Sequence, residues 1–151
     1  MNKQTLLLES KSHQETLQLA FQLGSILNKG VLITLEGNLA AGKTTFTQGL
    51  AQGLGVKEVV NSPTFVIMKE YEGRLPLVHI DAYRLEGISQ DLGFEDYLDE
   101  SSVVVIEWAN YLEFIDEYDP LHIKISVIDE ESRMISLYGD QELIERLKST
   151  L

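Results

Sequence analysis

Apolar positions along this chain change period several times, and each change marks an element. Leu17, Ala20, Phe21, Gly24 and Leu27 recur three or four residues apart, the spacing of one helical face. Ser12-His13-Gln14-Glu15 precedes them with the spacing of a capping box, so a helix is expected to start there. Gly30 is expected to stop it. Val31-Leu32-Ile33-Thr34-Leu35 is then a short apolar, β-branched-rich run, the pattern of a strand buried on both faces. Residues 43–54 return to the helical period, with Phe46, Leu50 and Leu54 on one face and Gly55 as the C-terminal stop.

Downstream the pattern is strand-like. Thr64 to Tyr71 and Leu75 to Asp81 are separated only by Glu72-Gly73-Arg74, which predicts an antiparallel hairpin. Ser102 to Glu107 reads as another buried strand. Leu121 to Ile128 and Arg133 to Tyr138 form a second hairpin pattern, and residues 140–148 a short terminal helix. The three prolines, at 63, 76 and 120, fall at boundaries between elements. No linker, repeat or low-complexity stretch divides the 151 residues, so one domain spanning 1–151 is expected. The mixed element order predicts an α/β sandwich whose sheet has parallel and antiparallel parts.

The turn between the first buried strand and the helix at 43 carries the chemistry. Gly37-Asn38-Leu39-Ala40-Ala41-Gly42-Lys43-Thr44 matches G-x-x-x-x-G-K-[ST]. Four residues between the glycines let the backbone curl so that successive N–H groups point inward at phosphate oxygens. Gly42 permits close approach, and Lys43 reaches the β- and γ-phosphates. The helix N-terminus, running into Thr45, adds partial positive charge. The Thr44 hydroxyl is placed to ligate Mg²⁺. The pattern arises by accident in roughly one chain in a few hundred of this length, but here it also sits between a strand and an amphipathic helix. A Mg²⁺-dependent nucleotide-binding protein is the expected class.

Such a loop needs a carboxylate at a nearby strand end. Asp81 ends Leu77-Val78-His79-Ile80-Asp81, and Glu107 ends Val103-Val104-Val105-Ile106-Glu107. Both are candidates for the metal shell, and Glu107 also for holding the attacking water. Spacing does not decide which is the direct ligand. Thr64, in Asn61-Ser62-Pro63-Thr64, lies where many phosphate switches place a γ-phosphate-sensing threonine. His79 shares a strand face with Asp81, and a packed side chain is the simpler expectation for it. Trp108 either lines the nucleotide or belongs to the core. Tyr83 and Arg84 are candidates for phosphate contacts or for structural hydrogen bonds.

Charge and composition narrow the picture. There are 24 acidic and 12 basic residues, a formal net charge of −12, which opposes direct binding to a phosphate backbone, DNA included. Any nucleic acid would be held by a protein partner. The absence of cysteine excludes disulfides, thiolate metal sites and cysteine nucleophiles. No run approaches the roughly 18 apolar residues of a membrane helix. The segment MNKQTLLLESKSHQE turns polar after three leucines, so no signal peptide and a cytoplasmic location are expected.

Four motifs in order, GNLAAGKT (37–44), NSPTF (61–65), HIDAYRL (79–85) and VIEWANYL (105–112), resemble the TsaE (YjeE) family over most of residues 5–140. The resemblance implies a P-loop NTPase three-layer sandwich with a mixed sheet. It implies ATP or ADP with Mg²⁺, and weak ATP hydrolysis used in threonylcarbamoyladenosine formation in tRNA. It also implies the partners TsaD and TsaB, with tRNA met only through that complex. By motif, it places Thr64, Asp81, Glu107 and Trp108 around the nucleotide. Two positions depart from the family's GDLGAGKT: Asn38 replaces the aspartate and Ala40 the second glycine. Alternatives are a non-catalytic, nucleotide-dependent assembly switch and a small-molecule kinase. The kinase would need an arginine-rich lid, and the four arginines at 74, 84, 133 and 146 are scattered. Guanine selection by an N-K-x-D stretch has no counterpart downstream of the loop.

Overall fold

The computed structural model describes residues 2–38, 41–60, 68–81, 98, 100–108 and 115–151. Its strands are β1 (Lys3–Ser10), β2 (Leu32–Glu36), β3 (Met68–Tyr71), β4 (Leu77–Asp81), β5 (Val103–Glu107), β6 (Leu121–Val127) and β7 (Arg133–Asp140). Its helices are α1 (His13–Ile26), α2 (Lys43–Gly53) and α3 (Gln141–Lys148), with a 3₁₀ turn at Ile115–Tyr118.

The strands form one sheet in the order β1-β7-β6-β2-β5-β4-β3. β6, β2, β5 and β4 run parallel, while β3 pairs antiparallel with β4, and β7 with both β6 and β1. Both expected hairpins are present. β1 has no counterpart in the sequence-based expectation. Its Leu6 and Leu8 pack on the core while Thr5, Leu7 and Glu9 face outward. Its alternation is masked in the sequence because the outward-facing Leu7, 63% exposed, is as apolar as the inward-facing Leu6 and Leu8 beside it.

Alternation along the strands builds an apolar layer on each face of the sheet, giving the α/β fold with a mixed sheet expected from sequence. Ile33, Leu35, Leu77, Val103 and Val105 point toward α1, α2 and α3, joining Leu23, Phe46, Leu50 and Ile144 in the larger cluster. Leu32, Val78, Ile80, Val104 and Ile106 face the other way and pack with Ile115 and, at the edge, Leu98, Trp108 and Tyr118. The face on which a strand residue sits therefore decides whether it can reach α2 and the loop before it.

α1 starts as predicted: the Ser12 hydroxyl accepts from the Glu15 N–H at 3.1 Å. The Glu15 carboxylate reaches back one residue further than a standard capping box, to the Lys11 N–H at 2.6 Å. Two expectations for α1 need correction. The helix ends at Ile26 rather than at Gly30, whose N–H instead donates to the Glu100 carbonyl at 2.7 Å. Phe21 is 39% exposed, and Leu23 takes the buried place beside Ala20 and Gly24. The stop is tertiary: Arg74 donates to the Leu27 carbonyl at 2.6 Å and the Gly24 carbonyl at 2.9 Å, satisfying carbonyls that a helix end leaves open. α2 stops as read, with Gly55 at φ +81° just beyond its C-cap. α1 and α2 approach so closely that a Cβ on Gly49 would overlap the Leu17 carbonyl oxygen and lie 2.9 Å from the Ala20 Cβ. This contact seats α2, and with it the loop that opens the helix. Among the described residues no helix is long and apolar enough to cross a membrane.

Candidate functional site

β2, β5 and β4 lie side by side and parallel, so their carboxyl ends open at one edge of the sheet. In open α/β sheets ligands bind at that edge. Leu35 is in register with Glu107, and Glu107 with Asp81. The loop of residues 37–44 leaves β2 at the same edge and opens α2. The two carboxylates picked out by sequence are thus neighbours, although 26 positions separate them in the chain. Asp81 is half-buried and Glu107 buried.

The described part of the loop, residues 37–38 and 41–44, is shaped as its sequence requires. Gly42 is the N-cap of α2 with φ +103°, a conformation that side chains disfavour, and nothing lies within 4 Å of where a Cβ would stand. The Ala41 N–H donates to the Asn38 carbonyl at 2.9 Å, closing the turn. Asn38 itself is exposed, and Gly37 is seated against the Ile125 carbonyl of β6. Thr47 donates to the Lys43 carbonyl at 2.9 Å, stiffening the first turns of α2. Thr44 and Thr45 are half-buried, and the Thr45 hydroxyl lies 3.3 Å from His13 Nδ1. Gln48 donates to the Val60 carbonyl at 3.0 Å, tying α2 to the chain just before the Asn61–Thr64 segment. Leu39, Ala40, Thr64, Tyr83 and Arg84 lie outside the described residues.

A buried chain of charge crosses the site. Lys43 Nζ is 3.5 Å from Glu107 Oε1, and Glu107 Oε2 is 2.6 Å from His79 Nε2. An ionised carboxylate only accepts, so the proton in that bond sits on His79 Nε2. All three side chains are at least nine-tenths buried. Burial alone pushes the Glu107 carboxyl up. The hydrogen bond and charge of His79, followed by the charge and hydrogen bond of Lys43, outweigh it and hold the group below its ordinary value. His79 is therefore more than packing, since it orients Glu107. Its other ring nitrogen, Nδ1, is buried with no hydrogen-bond partner, a cost of about 1–3 kcal/mol.

Trp108 closes the site from the side. Lys43 Nζ stands 4.7 Å from its ring centre, within the range of a cation–π contact. The residue is at φ +61°, which is strained for so bulky a side chain. Strain of this kind, about 1–3 kcal/mol, gathers at functional sites. The ring also packs on the smaller apolar cluster, so Trp108 joins that core to Lys43.

Sequence reasoning missed Arg133. Its Nε donates to the Ala41 carbonyl, inside the loop, at 3.0 Å. No local signal marks it, because 92 residues separate the two positions. A cavity of about 680 Å³ lies at the opposite, amino end of the strands, lined in part by Leu32, Val104, Leu143 and Arg146. It shares no residue with the loop, and Arg146 there is bound to the Ile26 carbonyl.

The fold and the loop together define the P-loop NTPase architecture. Within that class, the profile of the family described as "Threonylcarbamoyl adenosine biosynthesis protein TsaE" matches residues 10–135, and the chain belongs to the TsaE family. It is 44% identical over 124 residues to the tRNA threonylcarbamoyladenosine biosynthesis protein TsaE of Bacillus subtilis (strain 168), covering 82% of this chain and 78% of that one. It is 34% identical over 131 residues to the Aquifex aeolicus (strain VF5) protein of the same name, covering 85% and 92%. The crystal structure of Bacillus subtilis YdiB superposes with a TM-score of 0.82 at 33% identity, covering 99% of this chain and 98% of that one.

Proposed function

We propose that this chain is the ATP-binding and ATP-hydrolysing accessory protein of tRNA threonylcarbamoyladenosine formation, acting with TsaD and TsaB. The observation that carries the reading is the placement of Lys43, at the mouth of a glycine-shaped anion loop, beside a Glu107 held ionised at a strand end. ATP phosphates compete with Glu107 for the Lys43 ammonium, and the first N–H groups of α2 receive the phosphate oxygens.

The oxygen donors at this edge are the Thr44 hydroxyl and the Asp81 and Glu107 carboxylates, while His79 Nε2 is taken by Glu107. Among the described residues no group of three or more histidine or acidic side chains is arranged to hold a metal ion by itself. That set fits Mg²⁺, which keeps waters and takes its remaining ligands from phosphates. Bound there, Mg²⁺ would supply charge neutralisation between the β- and γ-phosphates. Both Glu107 oxygens are engaged by Lys43 and His79, which suits Glu107 to the metal's waters or the attacking water. When Lys43 moves to the phosphates, Glu107 Oε1 is released to hold water in line with the γ-phosphate. In this reading turnover by the chain alone is slow, and TsaD and TsaB raise it. The net charge of −12 leaves tRNA to the partners.

A kinase reading is not favoured. Of the four arginines, the three that are described each bind a backbone carbonyl.

The test is ATP turnover with Mg²⁺, for the chain alone and with the TsaD–TsaB pair, against Lys43→Ala. Stimulation by the pair that vanishes in the variant is expected. Tight ATP binding with flat turnover, and complex assembly supported equally by a non-hydrolysable analogue, would replace the ATPase by the assembly switch. Asn38, where the family carries aspartate, would then be the first position to restore.

A further inference from the structure

We infer that Arg133 is a positioning residue for the phosphate-binding loop: its guanidinium pins the Ala41 carbonyl and thereby aims and polarises the Gly42 N–H. The inference rests on the reading of residues 37–44 as a phosphate site.

Arg133 opens β7, opposite Val127 of β6 and Ser10 of β1. Its Nη1 donates to the carbonyls of Asp129 at 2.8 Å, Glu130 at 3.3 Å and Ser132 at 2.9 Å, all in the β6–β7 turn. That turn is itself closed by the Asp129 carboxylate, which accepts from the Glu131 N–H at 3.1 Å and the Ser132 N–H at 2.8 Å. The guanidinium is therefore clamped on the turn side. Its Nε is delivered to the Ala41 oxygen at 3.0 Å.

In a trans peptide the C=O and the following N–H share a plane and point in opposite directions. Holding the Ala41 oxygen toward β7 turns the Gly42 N–H away from β7. A cationic donor on the carbonyl also draws electron density through the amide, so the Gly42 N–H becomes a better donor to an anion. The restraint matters because Gly42 has no Cβ and sits at φ +103°, so sterics alone leave its peptide plane loosely defined. The other side of the same residue is tied by the Ala41 N–H bond to the Asn38 carbonyl. Arg133 thus supplies from β7 a constraint that the glycine-rich loop cannot supply for itself.

The experiment uses the whole chain with Mg²⁺-ADP as probe, titrated by calorimetry. It compares wild type, Arg133→Met, Arg133→Lys, Asp129→Ala and Lys43→Ala, with the Gly42 amide signal followed by ¹H–¹⁵N NMR in the free proteins. Arg133→Met keeps the aliphatic stem and removes every donor. It is expected to weaken ADP binding about tenfold, or about 1.4 kcal/mol, and to move the Gly42 nitrogen upfield. Arg133→Lys, which can still donate once to Ala41, is expected to recover part of both. Asp129→Ala loosens the turn but leaves the Ala41 bond, so it should bind ADP within about twofold of wild type.

Two results overturn the inference while nucleotide binding stands. In one, Arg133→Met binds like wild type while Lys43→Ala does not bind. In the other, Asp129→Ala loses as much affinity as Arg133→Met with the Gly42 signal unmoved, which would make Arg133 a prop for the hairpin only. Wild type that fails to bind Mg²⁺-ADP at all removes the phosphate reading, and this inference with it.

Discussion

Replacing Glu107 by Gln keeps the shape of the side chain and removes its charge, which isolates the electrostatic part of the buried Lys43–Glu107–His79 chain. The amide oxygen can still accept from His79 Nε2, so that 2.6 Å bond survives and the main loss is the pair with Lys43 at 3.5 Å. With an effective dielectric constant of about 20, two unit charges at that separation attract by about 5 kcal/mol. Desolvation offsets part of this. Removing one partner of a buried pair nevertheless costs about 3–5 kcal/mol, because the remaining charge stays buried. We expect Glu107→Gln to lose about 3 kcal/mol at pH 7, lowering Tm by about 6–12 °C for a domain of this size. The pH dependence gives the sharper test. Glu107 titrates lower in the folded state than an ordinary glutamate. Its contribution is therefore complete above the unfolded pKa of about 4.3 and is lost as pH falls through the folded pKa. Urea denaturation of both proteins from pH 7 down to about pH 3 should show a gap that is constant at first and then narrows at the acid end. A gap that stays the same across the range, or a Gln variant as stable as wild type at pH 7, would refute the reasoning.

Two further outcomes follow from the packing that seats the loop. Gly49→Ala places a methyl group against the Leu17 carbonyl and the Ala20 Cβ at 2.9 Å, neither of which can swing away. It should cost about 1–3 kcal/mol in urea denaturation and weaken nucleotide binding, since α2 must shift. Ser12→Ala removes the acceptor for the Glu15 N–H and should cost about 1 kcal/mol, read as a small fall in Tm with nucleotide affinity unchanged.

Legibility from sequence followed the range of the interactions. The loop at 37–44, the cap at Ser12 and the stop at Gly55 were readable because each depends on residues adjacent in the chain. Capping bonds and glycine φ values are local geometry. The buried parallel strands were readable as continuous apolar runs, and Asp81 and Glu107 as polar residues ending such runs. Features made by distant residues left no local trace. β1 lacks a clear alternation because Leu7, on its solvent face, is as apolar as Leu6 and Leu8 on its buried face. The end of α1 is set by Arg74, which binds Gly24 and Leu27 from 50 and 47 residues away, and not by Gly30.

The sequence by itself determined a G-x-x-x-x-G-K-T loop between a buried strand and a helix, two carboxylates that end buried strands, and a net charge of −12. Tertiary structure alone decided which groups meet. The parallel register of β4 and β5 sets Asp81 beside Glu107. Strand alternation turns His79 to the face where Glu107 and Lys43 lie. The β6–β7 hairpin carries Arg133 to Ala41. Periodicity tells which face of an element is apolar, whereas register and the side of the sheet are settled only when the whole core packs at once.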